Sequence, residues 1–532
     1  MQNINGIFNI NQALFMPFFD FHCHPGLKPQ FSDPANKPSP WDYIDAKLSL
    51  ARDIKLRINS LFNEVLNSQS NLQMLLENDV RLVGLILHAP EKNIGKALGE
   101  KKIVNRGSVN LIDKTQLEYL ALGTHYFELI NEELRWLKAA PAPVNGRSLK
   151  VLTKAAEFDE ADTNTVFGAI IVEGLHCFFN DRDALDAKEK FTENFNSFTT
   201  DNAVVAINIC HMQQNPFCNH AHGIQFFNPA YFFPTQKGIT PWGREVIQMM
   251  IDKKILTDIK HMSLIARLDL YSWFQDDNDT TKYIQPLICT HAGTTGLSIK
   301  DRAKFLLHPP ANKGTVYEVS YLKPRSRHFE DTYHNCSSIN LYDEDIENIF
   351  LSGGIIGLSF DQRILGFADE SVLPETTEPH DVEYISQLEA GFFLGPDPTN
   401  LTVWPNDEGV WAAEDFGELS PADFPIAHRR FLVNNIIHLL WVAGKPGGVG
   451  FQQAAKQICL GTDFDGLINA IDCCKTTEGL ASLRDDMRGD LEEGLEKIGA
   501  TAEINVDVLL DNIFYKNGKN FILARLKILR GS

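Results

Sequence analysis

The stretch PFFDFHCH (residues 17–24) decides the fold, because an apolar run there ends in two potential metal ligands. Four later stretches repeat this arrangement: GAIIVEG (168–174), ILTDIKHM (255–262), PLICTHAG (286–293) and QICLGTDFDG (457–466). The metal-binding side chains of the five stretches are His22, His24, Glu173, His261, His291 and Asp463. Imidazoles and carboxylates are the usual ligands of zinc-like divalent cations. The repetition predicts one site for two metal ions, built where buried strands give way to loops.

Three further apolar, β-branched runs, at 80–89, 202–212 and 353–360, bring the number of predicted strands to eight. Near-continuous apolar runs are typical of parallel strands that are covered on both faces. Helical patterns lie between the runs, at 45–66, 116–140, 241–255, 343–354, 428–444 and 480–495. Strands that alternate with helices in this number predict a (β/α)8 TIM barrel.

The remaining length lies in two segments, 310–338 and 362–424, which are rich in proline, glycine, asparagine and acidic residues. Both segments interrupt the alternation, and loops of this length are usually lids, binding loops or oligomer contacts. The sequence shows neither linker composition nor an internal repeat. We therefore expect one barrel domain over residues 1–532, decorated by these two insertions. The barrel exterior and the 362–424 insertion offer surfaces for a homodimer.

Composition excludes some classes of partner. The formal net charge of −20 argues against nucleic acid, because a phosphate backbone needs a basic face. No run approaches the roughly 18 apolar residues of a membrane helix, and the amino terminus lacks the features of a signal peptide. The nine cysteines show no disulfide spacing, and several lie in apolar runs. These features predict a cytoplasmic protein with free thiols and no membrane partner.

The candidate ligands indicate a metal site mainly because several of them occur together at strand ends. In His22-Cys23-His24 the two imidazoles share one side of a strand, because side chains alternate with period two. A buried Glu173 needs a partner, and a cation is a natural one. A lone histidine at a strand end, such as His261 or His291, is more often a hydrogen-bonded core residue. Ligand types at the ends of strands one, three, five, six and eight together favour a metal site.

The stretches DFHCH, VEGLH, DIKHMS, CTHAG and GTDFDG together resemble the motifs of the membrane dipeptidase (renal dipeptidase) family, a branch of the amidohydrolase superfamily. The segment ITPWGREVIQMMIDKKILTDIKHMS (239–263) resembles that family along its whole length. The resemblance runs from about residue 17 to the final helices, interrupted by the insertions. It implies a barrel of the metal-dependent hydrolase type, with two zinc ions, and it favours a dimer.

The resemblance also implies a role for each ligand. His22 and His24 would hold the first ion, and Glu173 would bridge both ions. His261 and His291 would hold the second ion.

Three further roles follow from the same resemblance. Asp463 would contact the first ion and transfer protons, and His211 would contact the substrate near its scissile carbonyl and stabilise the oxyanion. Arg302, eleven residues after His291, would bind a substrate carboxylate, unless Arg325 or Arg327 serves instead.

The implied activity is that of a zinc-dependent dipeptidase-like hydrolase. A hydroxide that bridges two divalent ions would attack the amide bond of a dipeptide or a similar small amide. One departure bears on this: His24 stands where the family has aspartate, so the site carries one negative charge fewer. Two alternatives therefore stay open. One is an amidohydrolase acting on a lactone, a cyclic amide or an N-acyl amino acid, and the other is a non-catalytic binding protein on the same barrel.

Other polar residues receive plainer interpretations. His88 ends the second strand and is expected to support a ligand or to pack, and His176 belongs to a loop or a first helical turn. His220 and His222 belong to a surface loop, line the pocket or bind an extra metal. Asp465 is expected to cap the following segment or to orient a neighbour.

Overall fold

The computed structural model describes residues 16–46, 65–100, 111–223, 228–276, 279–366, 380–401 and 422–530. The strands are β1 (Phe18–Cys23), β2 (Val80–Leu87), β3 (Ser148–Val151), β4 (Thr165–Val172), β5 (Val204–Asn208), β6 (Leu256–Asp258), β7 (Gln275–Asp276), β8 (Asp279–Tyr283), β9 (Ile288–Ala292), β10 (Ala311–Asn312), β11 (Val316–Leu322), β12 (Ile355–Leu358), β13 (His380–Ser386) and β14 (Ile458–Leu460). The α-helices span Leu72–Glu77, Lys92–Gly99, Lys114–Leu120, Tyr126–Ala139, Ala187–Asp201, Pro241–Asp252, Leu264–Phe274, Asp343–Leu351, Gln362–Leu365, Gln387–Leu394, Phe424–Ala443, Phe451–Ala454, Leu480–Lys497, Val506–Asp511 and Asn517–Arg530.

Eight parallel strands form the central sheet in the order β1-β2-β4-β5-β6-β9-β12-β14, and β3 pairs beside β4. The two ends of this sheet meet just beyond β1 and β14. Asp463 N donates to His22 O at 2.8 Å, and His24 N donates to Phe464 O at 2.9 Å. The barrel is therefore nearly closed, which confirms the predicted (β/α)8 TIM barrel. Each of the eight apolar runs contributes one of its strands.

The strands are apolar throughout because the barrel buries both of their faces. All eight residues of β2 and all eight of β4 are buried. A polar layer inside the barrel lies below the ligand ends of the strands. There the Asp20 carboxylate accepts hydrogen bonds from the backbone N–H and the hydroxyl of Thr462, and Asp258 accepts from the Thr290 hydroxyl.

The helices follow the sequence patterns with one correction. Thr240 caps the helix Pro241–Asp252 by accepting from Gly243 N at 2.9 Å, as its position before Pro241 predicts. The pattern over 116–140 forms two helices, Lys114–Leu120 and Tyr126–Ala139. The break falls where Gly123 and His125 adopt positive φ angles of 70° and 67°, which a helix does not tolerate. The predicted helix 45–66 lies mostly outside the described residues.

The two predicted insertions pair with each other. β10, β11 and β13 form a three-stranded antiparallel sheet in which Val316 lies opposite Ser386 and Glu318 lies opposite Tyr384. The parts of the second insertion at 367–379 and 402–421 lie outside the described residues. No helix in the described ranges is long and apolar enough to cross a membrane.

Candidate metal centre

Glu173 lies at the centre of the cluster that the sequence predicts. It directly follows β4, is 2% exposed, and its backbone N–H continues the ladder to Leu87 O at 3.0 Å. Gly174 then turns the chain with a φ of 94°, and a Cβ at this position would meet the His176 ring at 2.3 Å. Glycine is therefore required here, and the turn it allows leaves the carboxylate facing the barrel mouth.

Five imidazoles face the Glu173 carboxylate through their Nε2 atoms. The Nε2 atoms of His261, His24, His22, His291 and His211 lie 3.2, 3.4, 3.5, 3.8 and 3.8 Å from its oxygens, respectively. The Nε2 atoms of His22 and His24 are 3.0 Å apart. Two nitrogens that share one zinc ion at bond lengths of about 2.0–2.1 Å lie about 3 Å apart. The spacing of these ligand atoms fits shared cations.

Asp463 approaches the same cluster from the segment after β14. Its Oδ1 lies 3.3 Å from His24 Nε2 and 3.7 Å from His22 Nε2, and its Oδ2 lies 4.0 Å from His291 Nε2. Asp463 and His261 both adopt left-handed backbone conformations, with φ angles of 64° and 68°. Such conformations are unfavourable for residues other than glycine and concentrate at functional sites.

The electrostatics of the cluster favour cations. Burial lowers the pKa of His24 to about 4 and that of His261 to about 3, so both rings are neutral and keep a lone pair for a metal. Burial and the nearby Glu173 charge raise the pKa of Asp463 well above its ordinary value. The buried Glu173 carboxylate and the mostly buried Asp463 carboxylate lie beside neutral imidazoles, an arrangement that is costly without a counter-charge. The donor set therefore fits divalent metal ions in both chemistry and spacing.

Hydrogen bonds from below hold His22 in place. Its Nδ1 lies 2.8 Å from the hydroxyl oxygen of Thr290, which itself donates to Asp258, and its backbone N–H donates to Asp20 at 3.1 Å. Outer partners of this kind fix the orientation and tautomer of a metal-binding imidazole. The polar layer inside the barrel thus supports the ligands above it.

Glu91 is a site residue that the sequence interpretation missed. It is completely buried, and its Oε1 lies 2.6 Å from His211 Nδ1. Its Oε2 lies 3.1 Å from His88 Nε2, and His88 Nδ1 in turn donates to the backbone oxygen of Glu173 at 2.9 Å. His88 therefore supports the central glutamate, as one of its two predicted roles states. The only sequence signal for Glu91 was an acidic residue three positions after a strand-end histidine.

Glu91, His88 and His211 form a buried network around the Glu91 carboxylate. Burial alone would lower the pKa of His88, but the adjacent Glu91 carboxylate raises it to about 9. Burial likewise opposes ionisation of Glu91, yet His211 and His88 together hold its pKa well below the ordinary value. A buried carboxylate between two imidazoles fixes the rotation of both rings. His211 thus turns its Nε2 toward the cluster.

Arg302 is the one predicted site residue that the structure does not bring to the cluster. Its guanidinium is 1% exposed, pairs with Glu383 of β13 and lies 5.2 Å from the Tyr321 ring centroid. The eleven-residue spacing from His291 leads into the 3₁₀ helix Ile299–Phe305, which the small antiparallel sheet covers. Arg302 therefore lies apart from the cluster in this structure, and its contact with a substrate carboxylate stays a prediction.

The two alternative arginines are also engaged elsewhere. The Arg325 guanidinium lies 3.8 Å from the Glu330 carboxylate, and that of Arg327 lies 5.1 Å from the Trp441 ring centroid. Arg363 is the arginine that lines the cavity at the cluster.

Of the remaining polar residues, some make structural hydrogen bonds and one lines the cavity. Asp465 accepts from the backbone of Ser70 at 2.8 Å and pairs with Lys28 at 2.7 Å, so it anchors a distant loop instead of capping the segment that follows it. His220 Nε2 donates to Phe232 O at 3.0 Å. His222 lines the cavity, which confirms the pocket-lining interpretation for that residue.

The cluster lines a cavity of about 1090 Å³, a volume that includes its opening to solvent. Apolar side chains from the loops after β14, β1 and β2 form one part of its wall, among them Leu27, Phe31 and Leu467. Lys260, Asp361 and Arg363, which follow β6 and β12, belong to another part. The Asp463 side chain keeps 15% exposure, whereas that of Glu173 keeps 3%, so the aspartate is the carboxylate within reach of a bound molecule.

Comparison with known proteins gives structural matches. No protein-family model matches the chain, and no curated protein sequence matches it. A metallopeptidase from Rhodobacter sphaeroides, crystallised with a phosphinate mimic of the dipeptide L-Ala-D-Ala, matches with a TM-score of 0.51 and 14% identity over 96% of this chain and 99% of its own. The metallopeptidase dipeptidase AC matches with a TM-score of 0.50 and 14% identity over 97% and 99%. The chain therefore has the fold of these dipeptidase-like metallopeptidases, and the resemblance in the ligand motifs is matched by the architecture.

Proposed function

We propose that this protein is a metal-dependent hydrolase that holds two divalent metal ions, most simply zinc, and cleaves the amide bond of dipeptides or similar small amides. One observation carries the proposal. The Nε2 atoms of five buried histidines surround the Glu173 carboxylate within 3.8 Å, and Asp463 faces three of the same histidines. Neutral imidazoles that converge on two carboxylates are the ligand set of zinc hydrolases.

The ligands would divide between the ions as the family resemblance implies. His24 and Asp463, 3.3 Å apart, would share the first ion with His22. His261 and His291 both face Glu173 Oε1 and would hold the second ion. When bound, such ions polarise a carbonyl group and lower the pKa of a bound water toward neutrality.

Two residues of the chain would then handle protons and charge. Asp463 reaches the cavity and would accept a proton from the attacking water and return it to the leaving amine. His211, fixed by Glu91 with its Nε2 toward the cluster, would donate to the oxygen of the scissile carbonyl as negative charge develops there. The dipeptide mimic bound to the Rhodobacter metallopeptidase supports an amide substrate of this size.

Metal analysis and a substrate screen test the proposal. Protein reconstituted with zinc, manganese or cobalt is expected to hold two ions per chain and to hydrolyse dipeptides or N-acyl amino acids in preference to lactones. Glu173→Gln should lose metal and activity together, whereas Glu503→Gln, an exposed control, should keep both. Two bound ions without hydrolysis of any amide would favour a binding protein, and no bound metal would end the proposal.

A further inference from the structure

Lys260 is a buried cation in the cavity wall. Its side chain is 2% exposed, yet it lies among the residues that line the cavity. Its Nζ donates to Ile339 O at 3.3 Å, and no carboxylate oxygen of the described residues lies within 4 Å of it. An ammonium group has three N–H donors, so this single long hydrogen bond leaves most of its capacity unused.

The other charged groups of the same wall are already paired. Arg363 Nε donates to Asp361 Oδ1 at 2.9 Å, and a second nitrogen of the same guanidinium contacts Asp361 Oδ2. Asp463 is held among the histidines of the cluster. Lys260 is thus the cation of the described cavity wall without a carboxylate in contact, because the charges of Asp463 and Asp361 act on it only from a greater distance. A buried cation that makes no close ion pair is unfavourable, and a ligand carboxylate would supply one.

The cavity wall opposite in character to the charged side at Lys260 is an apolar arc, formed by the segments after three neighbouring strands. β14, β1 and β2 are consecutive around the barrel, and their loops contribute Leu27, Phe31, Ile94, Leu467 and Ile468 to the cavity. Apart from Asp463, the described residues that line this arc bring no carboxylate. An ammonium group bound against this surface would lose its hydration without gaining a counter-charge.

We propose that Lys260 binds a carboxylate on the amine side of the scissile amide, and that the apolar arc accepts an uncharged acyl group. This inference rests on the proposed function and selects N-acyl amino acids, in preference to dipeptides with a free amino terminus, as the substrate class. It also gives the carboxylate a partner other than Arg302, whose guanidinium is engaged by Glu383.

Matched substrates test the inference in the metal-loaded wild-type protein. An N-hexanoyl amino acid should be hydrolysed with a kcat/KM about 10- to 100-fold above that of its carboxamide, because a charge-assisted contact is lost in the amide. The kcat/KM for the N-acetylated form of a dipeptide should likewise exceed that for the dipeptide with a free amino terminus. Equal rates for acid and carboxamide, or a preference for the free amine, would overturn the inference even if the protein is an amide hydrolase.

Substitution of Lys260 adds a second measurement. Lys260→Met should lower the ratio of kcat/KM for the acid to that for the carboxamide about 10-fold or more, whereas Lys456→Met on the exposed surface should leave this ratio unchanged. An equal loss for both substrates would mean a structural role for Lys260. If this variant does not fold, the comparison of acid and carboxamide in the wild type decides alone.

A binding experiment separates this inference from the proposed function. The N-acyl amino acid should raise the Tm of the wild-type protein, and its carboxamide should raise it far less. This acid-specific shift without any hydrolysis would uphold the Lys260 site and overturn the proposed function. Equal shifts for acid and carboxamide would overturn the site.

Discussion

Glu91 shows how one buried residue can set the orientation of an imidazole that faces the histidine and carboxylate cluster. Its carboxylate lies 2.6 Å from His211 Nδ1, so the imidazole cannot rotate without breaking a charged hydrogen bond. We expect Glu91→Gln to lower kcat about 10- to 100-fold with little change in KM or metal content. Steady-state kinetics and metal analysis check this.

A double-mutant cycle shows whether Glu91 acts through His211. In a His211→Ala background, Glu91→Gln should cause little further loss, because the group that it orients is gone. A loss of the same size in both backgrounds would contradict the positioning role. Glu128→Gln, which changes an exposed acid, is the matched control.

Substitution of Asp463 tests its proposed role in proton transfer. Asp463→Asn keeps the shape of the side chain and removes its capacity to accept a proton. We expect kcat to fall about 100-fold or more, since general acid–base groups contribute about 10²–10⁴-fold. Turnover near the wild-type level, with both metal ions retained, would exclude the proton-transfer role.

The sequence indicated the ligands but not their supporting residues, for a physical reason. His22, Glu173 and Asp463 each lie at the end of a buried strand or shortly after it, and a polar group at such a position is visible in the order of residues alone. Glu91 lies in a loop, and its burial depends on loops that only the folded barrel brings together. The Arg302 assignment relied on spacing alone, and the structure buries its guanidinium against Glu383 of the second insertion.

At the level of elements, the helix Tyr126–Ala139 brings a buried acid, Glu133, against the second barrel strand. Glu133 is 1% exposed and accepts from His88 N at 3.1 Å, and burial raises its pKa to about 7. The folded pKa exceeds the unfolded value near 4.5. The contribution of Glu133 to the free energy of unfolding, on the order of 3 kcal/mol, is therefore fully present below about pH 4.5. It is lost as the pH rises to about 7.

Glu133→Gln removes this titration. The difference in Tm between variant and wild type should therefore shift in favour of the variant between pH 5 and pH 8. Thermal denaturation at several pH values measures it, and Glu132→Gln on the exposed face of the same helix is the control. A difference independent of pH would contradict the raised pKa of Glu133.

Elements differ in how far local sequence specifies them. The eight barrel strands are recognisable because both faces are buried, which makes each an unbroken apolar run. The sheet of β10, β11 and β13 was not foreseen, because β11 and β13 are more than fifty residues apart along the chain and lie in polar segments. The break near Gly123 depends on a positive φ, which an otherwise helical pattern conceals.

At the scale of the whole molecule, the proposed metal ligands come from strands all around the barrel. They lie at the carboxyl ends of β1 and β9 or in the segments that follow β1, β4, β6 and β14, so bound ions would connect the first and last strands with the middle of the chain. Binding to the folded state alone stabilises it by about 4 kcal/mol at a free metal concentration 1,000 times Kd. We therefore expect zinc to raise the Tm of metal-free protein in a concentration-dependent manner.

The shape of the transition carries further information. If residues 1–532 form one domain, zinc should shift the entire unfolding transition, because every strand of the barrel depends on the same core. Two transitions, of which zinc shifts one, would instead mean that part of the chain folds separately. Glu173→Gln should abolish the shift, since Glu173 contacts histidines from both predicted ion sites. An equal shift in that variant would place the bound zinc elsewhere on the protein.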